Sequence, residues 1–210
     1  MRHRLAITPY LTLAERNTLA TIKPWIGKQW SDKVEKNGTD YTDDISAIKS
    51  KIITALTNAT DNYCVYCDSK FEIQSDPEIE HFVRKDKYPQ FTFELNNLFP
   101  SCHKCNFSTR KGRKDTIRKL HRKYAKCKFK YVHPHYDNPE KHFAYFNSLT
   151  PPAILIQWLT KKGKKTINMF KLNGSALTED RAKSHIFDNL NSTPGYNAVV
   201  ADIMSRSYSR

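Results

Sequence analysis

Four of the five cysteines stand as two Cys-x-x-Cys pairs, Cys64/Cys67 and Cys102/Cys105, with Cys127 left over. At this spacing one tight turn aims two sulfurs inward, and two such knuckles complete the tetrahedron that zinc prefers. The pattern predicts a structural zinc site of Cys64, Cys67, Cys102 and Cys105 rather than disulfides, and with it a reducing, cytoplasmic setting. Thirty-four residues separate Cys67 from Cys102, more than a simple zinc ribbon needs. Glu80 and His81 lie in that insert with Asn97, and Asn106 follows the second knuckle. His81 is a base that works near neutral pH. Glu80 and Asn106 offer hard oxygen atoms suited to magnesium or manganese. A base beside such a cation is what hydrolysis of a phosphodiester requires.

Charge points to the same class of substrate. Lys and Arg number 35 against 21 Asp and Glu, a formal net charge of +14 over 210 residues, so a polyanion is the expected partner. The excess concentrates after the second knuckle, where Arg110 to Lys130 holds eleven Lys or Arg against Asp115 alone. Ile117, Leu120 and Tyr124 run through it at helical spacing, which predicts a basic amphipathic helix with Cys127 on its apolar side. Arg110, Lys111, Arg113, Lys114, Arg118, Lys119, Arg122 and Lys123 are the candidate contacts to a nucleic-acid backbone. Such contacts give affinity and salt dependence but little sequence choice.

The elements that must position these residues form three segments, 1–60, 61–115 and 116–210. In the first, Thr12 and Glu15 have capping-box spacing before a helix that Pro24 ends. Asp43 and Asp44 open a second helix with Ile45, Ile48, Ile52 and Leu56 on one face, while Trp25 and Trp30 are read as core without chemistry. The middle segment has short strand-like runs at Phe71 to Ile73, Ile79 to Val83 and Phe91 to Phe93. The last continues from the basic helix through a turn-rich stretch around Pro134 and Pro139. A strand at Ile154 to Trp158, a Lys-Lys-Gly-Lys-Lys turn and a helix from Leu177 to Leu190 follow. Hydrophobic residues make up 39% of the chain, which excludes wholesale disorder. No apolar run is long enough for a membrane helix, and the start carries no signal-peptide pattern. The fold class expected is α+β.

Ile79-Glu80-His81-Phe82, then Asn97-Leu98, then Cys102-His103-Lys104-Cys105-Asn106 resembles the HNH endonuclease motif in its zinc-knuckle form. The resemblance implies a ββα-metal core over residues 61–115, flanked by mainly helical segments. It implies His81 as the water-activating base and Glu80 and Asn106 on opposite sides of a catalytic Mg2+ or Mn2+. Asn97 then braces the hairpin loop or backs the histidine. Many HNH nucleases carry histidine where Asn106 stands, so metal preference does not transfer. His103 sits inside the second knuckle, but four thiolates already fill a zinc shell, and it is expected at the surface. His133, His135 and His142 are read as folding their loop.

A narrower resemblance takes in Tyr63-Cys64-Val65-Tyr66-Cys67, Asp137-Asn138-Pro139-Glu140-Lys141-His142-Phe143, Thr166-Ile167 and Leu172-Asn173. With the HNH residues, these are similar to the PtuB-type effectors of Septu and retron antiphage systems, over roughly residues 60–185. That implies a nuclease acting with a PtuA-type ATPase and, in retron versions, with a reverse transcriptase and its multicopy single-stranded DNA. Whether the substrate is DNA or a host RNA such as transfer RNA stays open, because the phosphodiester chemistry does not depend on the sugar. The reading of a different class is a non-catalytic zinc module that binds nucleic acid or bridges subunits, which explains the charge and the cysteines but leaves Glu80, His81 and Asn106 without a task.

Overall fold

The computed structural model describes residue 5, residues 8–71, 75–145 and 155–191, and residue 198. Helix α1 (Leu13–Thr21) starts where Thr12 and Glu15 exchange side-chain and backbone hydrogen bonds in a capping box, and it stops three residues short of Pro24. A hairpin of β1 (Glu35–Lys36) and β2 (Thr39–Asp40) follows, turned by Asn37 and Gly38, both at positive φ. Helix α2 (Thr42–Asn58) begins with Asp43 and Asp44 at its positive dipole end and buries Ile45, Ile48, Ile52 and Leu56. It packs on α1 and on the strand Leu98–Ser101. Lys51 ties it to Glu15 at 2.9 Å.

Strand β3 (Glu78–His81) pairs antiparallel with β4 (Leu98–Ser101), with Glu80 opposite Phe99 and His81 opposite Leu98. Helix α3 (His103–Asn106) starts two residues after β4. Of the candidate metal or catalytic residues, β3 carries Glu80 and His81 and α3 carries Cys105 and Asn106, while Asn97 ends the turn before β4 and Cys102 caps α3. The run from Phe91 to Phe93 is not a strand. Pro89 opens a 3₁₀ turn over Pro89–Phe91, and both phenylalanines are core residues of the long β3–β4 loop. The run expected at Phe71 to Ile73 lies partly outside the described residues.

The basic helix expected over Arg110–Lys130 does not form. A turn occupies its start, then β5 (Ile117–Lys119) pairs antiparallel with β6 (Lys128–Phe129) around a 3₁₀ turn at Tyr124–Lys126. Two local features favour this outcome. Asp115 Oδ1 accepts from the Ile117 amide at 3.0 Å, an Asx turn that competes with helix, and Thr116 and Ile117 are β-branched. Eleven cations with a single acid would also repel one another along a helix. Leu120, assigned to the apolar face, is 49% exposed, while Cys127 is buried on an extended stretch.

Strands β7 (Phe143–Tyr145) and β8 (Ile156–Trp158) precede α4 (Lys161–Phe170) and α5 (Ser175–Asn191). The strand expected at Ile154 to Trp158 is β8; Ile154 itself lies outside the described residues. Lys161 to Lys165 is the first turn of α4 rather than a free turn, because Thr160 caps it by accepting from the Gly163 amide at 3.1 Å. Gly163 serves a close approach: a Cβ there would come within 2.3 Å of the His142 carbonyl oxygen.

The chain divides into two compact units, residues 1–144 with 158–171, and residues 145–157 with 172–210. Segments 1–60 and 61–115 thus share the first unit. Its core gathers rings of Phe82, Phe99, Phe129, Tyr124 and His133, and Tyr66 stacks on Phe170 at 4.0 Å. In the second unit the Asn173 amide grips both backbone groups of Ile156 at 2.8 Å, and Arg181 donates to the Leu172 carbonyl. Among the described residues, no helix is long and apolar enough to cross a membrane.

Candidate metal centre and adjoining cleft

Each knuckle is closed by its own backbone. The Asp68 amide donates to the Cys64 carbonyl at 3.0 Å with Asp68 at φ 60°, and the amides of Cys105 and Asn106 donate to the Cys102 carbonyl at 3.0 and 3.1 Å. A bond from the Val65 amide to the Pro100 carbonyl joins the first knuckle to β4, just ahead of the second. The four sulfurs, all buried, then lie within 4.8 Å of one another. The Cys67 and Cys102 sulfurs are 3.8 Å apart. That is close to the roughly 3.8 Å edge of a tetrahedron with Zn–S bonds of about 2.3 Å, so the donor set and its spacing fit one zinc ion. None of the five cysteines is in a disulfide. His103 stays outside: its Nδ1 lies 2.7 Å from Glu78 Oε1 and its side chain is 58% exposed. Arg110, expected on a nucleic-acid face, instead aims its guanidinium at Cys105 Sγ, 3.1 Å away, where it would offset thiolate charge with a metal bound.

Beside this centre a cleft of about 380 Å³ is lined by Glu80, His81 and Asn106, with Trp30, Lys85 and Lys111 among the other walls. Three of the four candidate catalytic residues therefore share one hollow. His81 is buried, with Nε2 3.0 Å from the Thr92 carbonyl. A carbonyl only accepts, so Nε2 carries the proton and Nδ1 keeps the lone pair. Burial, with the nearby charges of Lys111 and Lys85, lowers the imidazole to about 3 against the pull of the Thr92 bond. The ring is a neutral base at pH 7. Trp30 meets it edge-on at a centroid distance of 4.5 Å, so this tryptophan walls the cleft instead of being core alone.

Asn97 lies behind the cleft, fully buried. Its Oδ1 accepts from the Val83 amide (2.6 Å) and the Tyr124 hydroxyl (2.9 Å), and its Nδ2 donates to the carbonyls of Val83 and Phe91, both at 3.0 Å. It holds the two ends of the loop that delivers the Thr92 carbonyl to His81. The chain of bonds runs one step further. His133 Nδ1 accepts from the His135 amide at 3.2 Å, so His133 Nε2 donates to Tyr124, 3.0 Å away. His133 and His135 are buried in this framework and His142 meets Thr160 Oγ1 at 2.7 Å, all three as loop-folding groups.

Glu80 departs from the arrangement a catalytic cation needs. One carboxylate oxygen is paired with the Lys111 ammonium and the other accepts from the Tyr66 hydroxyl. Tyr66 is pushed well above its ordinary pKa by burial and by the Glu80 charge, so it remains a donor. Lys111, expected to hold backbone phosphate, is buried, and its ammonium also donates to the His81 carbonyl. The Asn106 amide nitrogen donates to Glu78 Oε2 at 2.6 Å. One Glu80 oxygen accepts from Tyr66 and the other, buried without a hydrogen bond, faces the Lys111 ammonium, so the pair of Glu80 and Asn106 does not fit Mg2+ or Mn2+ while Lys111 stands there.

Of the predicted backbone contacts, Arg113, Lys114, Arg118, Lys119, Arg122 and Lys123 are exposed, and Arg113 reaches the cleft. Arg84 and Lys85 line it too, three and four residues after His81, and sequence reasoning passed over both. Arg84 and Arg113 share Asp86, which Arg84 above all holds well below the usual carboxylate range.

No family model matches the chain. Two curated proteins do: "Septu protein PtuB" of Bacillus thuringiensis, 33% identical over 126 residues (60% of this chain, 42% of that protein), and "Septu protein PtuB" of Bacillus mycoides strain KBAB4, 30% identical over 138 residues (57% and 46%). The chain spans less than half the length of these relatives.

Proposed function

We propose that this chain is a PtuB-type effector of a Septu-like or retron antiphage system and that it is an HNH endonuclease. The observation that carries the catalytic part is His81, held by Thr92 with its free Nδ1 in a cleft shared with Glu80, Asn106, Lys85 and Arg113. In this reading His81 Nδ1 takes a proton from water as the water oxygen attacks phosphorus. The bond to the 3′ oxygen breaks and the product keeps a 5′ phosphate. Arg84, Lys85 and Arg113 hold the backbone, with Arg118, Lys119, Arg122 and Lys123 as outlying contacts. Zinc on the four thiolates fixes β4 and α3. The reading includes Mg2+ or Mn2+ on Glu80 and Asn106, which the Glu80–Lys111 pair opposes, so no step is drawn through that ion. The names of the two relatives support the defence setting and a PtuA-type ATPase as partner. A retron setting adds a reverse transcriptase and its multicopy DNA.

The test compares total DNA and small RNA from cells that express the protein with its neighbouring genes, wild type against His81→Ala. Cleavage that vanishes in His81→Ala, with zinc content and folding kept, supports the reading; cleavage that survives sinks it. Damage to one pool only assigns the substrate as DNA or RNA. The filled Glu80 favours a second reading, a non-catalytic zinc module. That reading stands if the wild type binds nucleic acid and cuts neither pool.

A further inference from the structure

Lys111 and Glu80 form the most deeply buried ion pair among the described residues, with side chains 4% and 0% exposed. A buried ammonium needs a counter-charge, and Lys111 finds one in Glu80, with the His81 carbonyl as a further acceptor. Glu80 and Asp86 are the acids that line the cleft, and Asp86 is matched by Arg84 and Arg113. Neither lining acid is left over to neutralise a divalent ion, and Glu78, outside the lining, is engaged by Asn106 and His103. If Lys111 stayed in place, such an ion would add two uncompensated charges to a low-dielectric hollow already flanked by Lys85 and Arg84. It would also compete with the ammonium for the same carboxylate oxygen. We infer that Lys111 is a resident cation that closes Glu80 against Mg2+ or Mn2+, so that loading this site requires the lysine to leave. The inference rests on the nuclease reading and adds its regulation: the isolated chain is held metal-poor by its own side chain. The turn that carries Lys111 suits such a movement. Gly112 follows at φ 41°, and Arg113 beyond it is 84% exposed.

The test reads metal binding and not activity. Free Mn2+ is titrated by electron paramagnetic resonance against the full-length, zinc-loaded chain as wild type, Lys111→Met, and Lys111→Met with Glu80→Gln. The expected result is Mn2+ binding at least about tenfold tighter in Lys111→Met, with the gain lost in the double variant. Unchanged or weaker binding in a folded Lys111→Met overturns the inference. Should that variant not fold, the wild type and Glu80→Gln decide. A wild-type affinity in the micromolar range that Glu80→Gln removes means Lys111 excludes nothing; binding no tighter than about millimolar, unaffected by Glu80→Gln, supports closure. A gain in Mn2+ affinity with no cleavage of DNA or RNA would keep the inference and remove the nuclease reading.

Discussion

The four-cysteine cluster and the Glu80 pocket share the stretch from Cys105 to Lys111, yet they treat buried charge in opposite ways. Four thiols converge with Arg110 beside Cys105 as the nearby positive charge, a donor set that fits one zinc ion. Glu80 meets its counter-ion from within the chain, at Lys111, six residues past the last cysteine of the cluster. A polar site can therefore be completed by a ligand or by the protein, and the choice decides whether that site is structural, open or restrained. Zinc binding contributes folding free energy outright, whereas a buried lysine–carboxylate pair contributes little net stability and mainly fixes which partner is present.

The largest expected effect breaks the zinc side of this contrast. Cys64→Ser with Cys67→Ser, or chelation of the wild type, removes a metal whose binding is worth on the order of 10 kcal/mol in small zinc modules. The first unit should lose its cooperative thermal transition and zinc should be absent on elemental analysis. Glu80→Gln should keep both.

Next in size is the brace behind the cleft. Asn97→Ala leaves the Val83 amide, two carbonyls and the Tyr124 hydroxyl without their buried partner, a cost of about 3–5 kcal/mol in urea unfolding. Zinc should remain bound in the folded fraction, since Asn97 touches none of the cysteines. Tyr124→Phe removes one hydroxyl from the same framework and should cost about 1–2 kcal/mol.

The smallest effect is one of pH. Burial, with the charges of His135 and Lys162, holds His133 well below the ordinary imidazole pKa, so the fold requires the neutral ring. Its contribution is complete above about pH 6.5, the unfolded value, and declines as pH falls below that, because the unfolded chain takes up the proton first. His133→Gln, whose amide can both donate to Tyr124 and accept from His135, should flatten the loss of urea stability below pH 6.5 relative to wild type. An unchanged slope would place the acid sensitivity elsewhere, with His81, the other imidazole held low by burial, the first suspect.

Much of this was legible along the chain because the deciding interactions are short-range. The cysteine pairs, the Thr12–Glu15 cap and the apolar stripe of α2 depend on spacings of three or four residues, and each formed as expected. Asn97 was legible only through its place in a motif; its four bonds come from Val83, Phe91 and Tyr124, which no local pattern links to it. The basic run misled for a physical reason. Charge density and a three-residue spacing resemble a helix face, but Thr116 is buried against the Phe82 carbonyl and Ile117 pairs with Phe129, contacts available only once the core has assembled.

The sequence by itself determined the four-cysteine cluster, the helices of the first segment and the strong positive charge, since residue type and local spacing suffice for each; His81 stood out only through its place in a motif. Tertiary structure alone decided that Arg110 faces the Cys105 sulfur, that Trp30 walls the cleft, and that one cation among the eleven in its run is buried on Glu80. Which cation a buried carboxylate receives depends on distances between segments far apart in the chain and on the exclusion of water. Neither exists until the fold does.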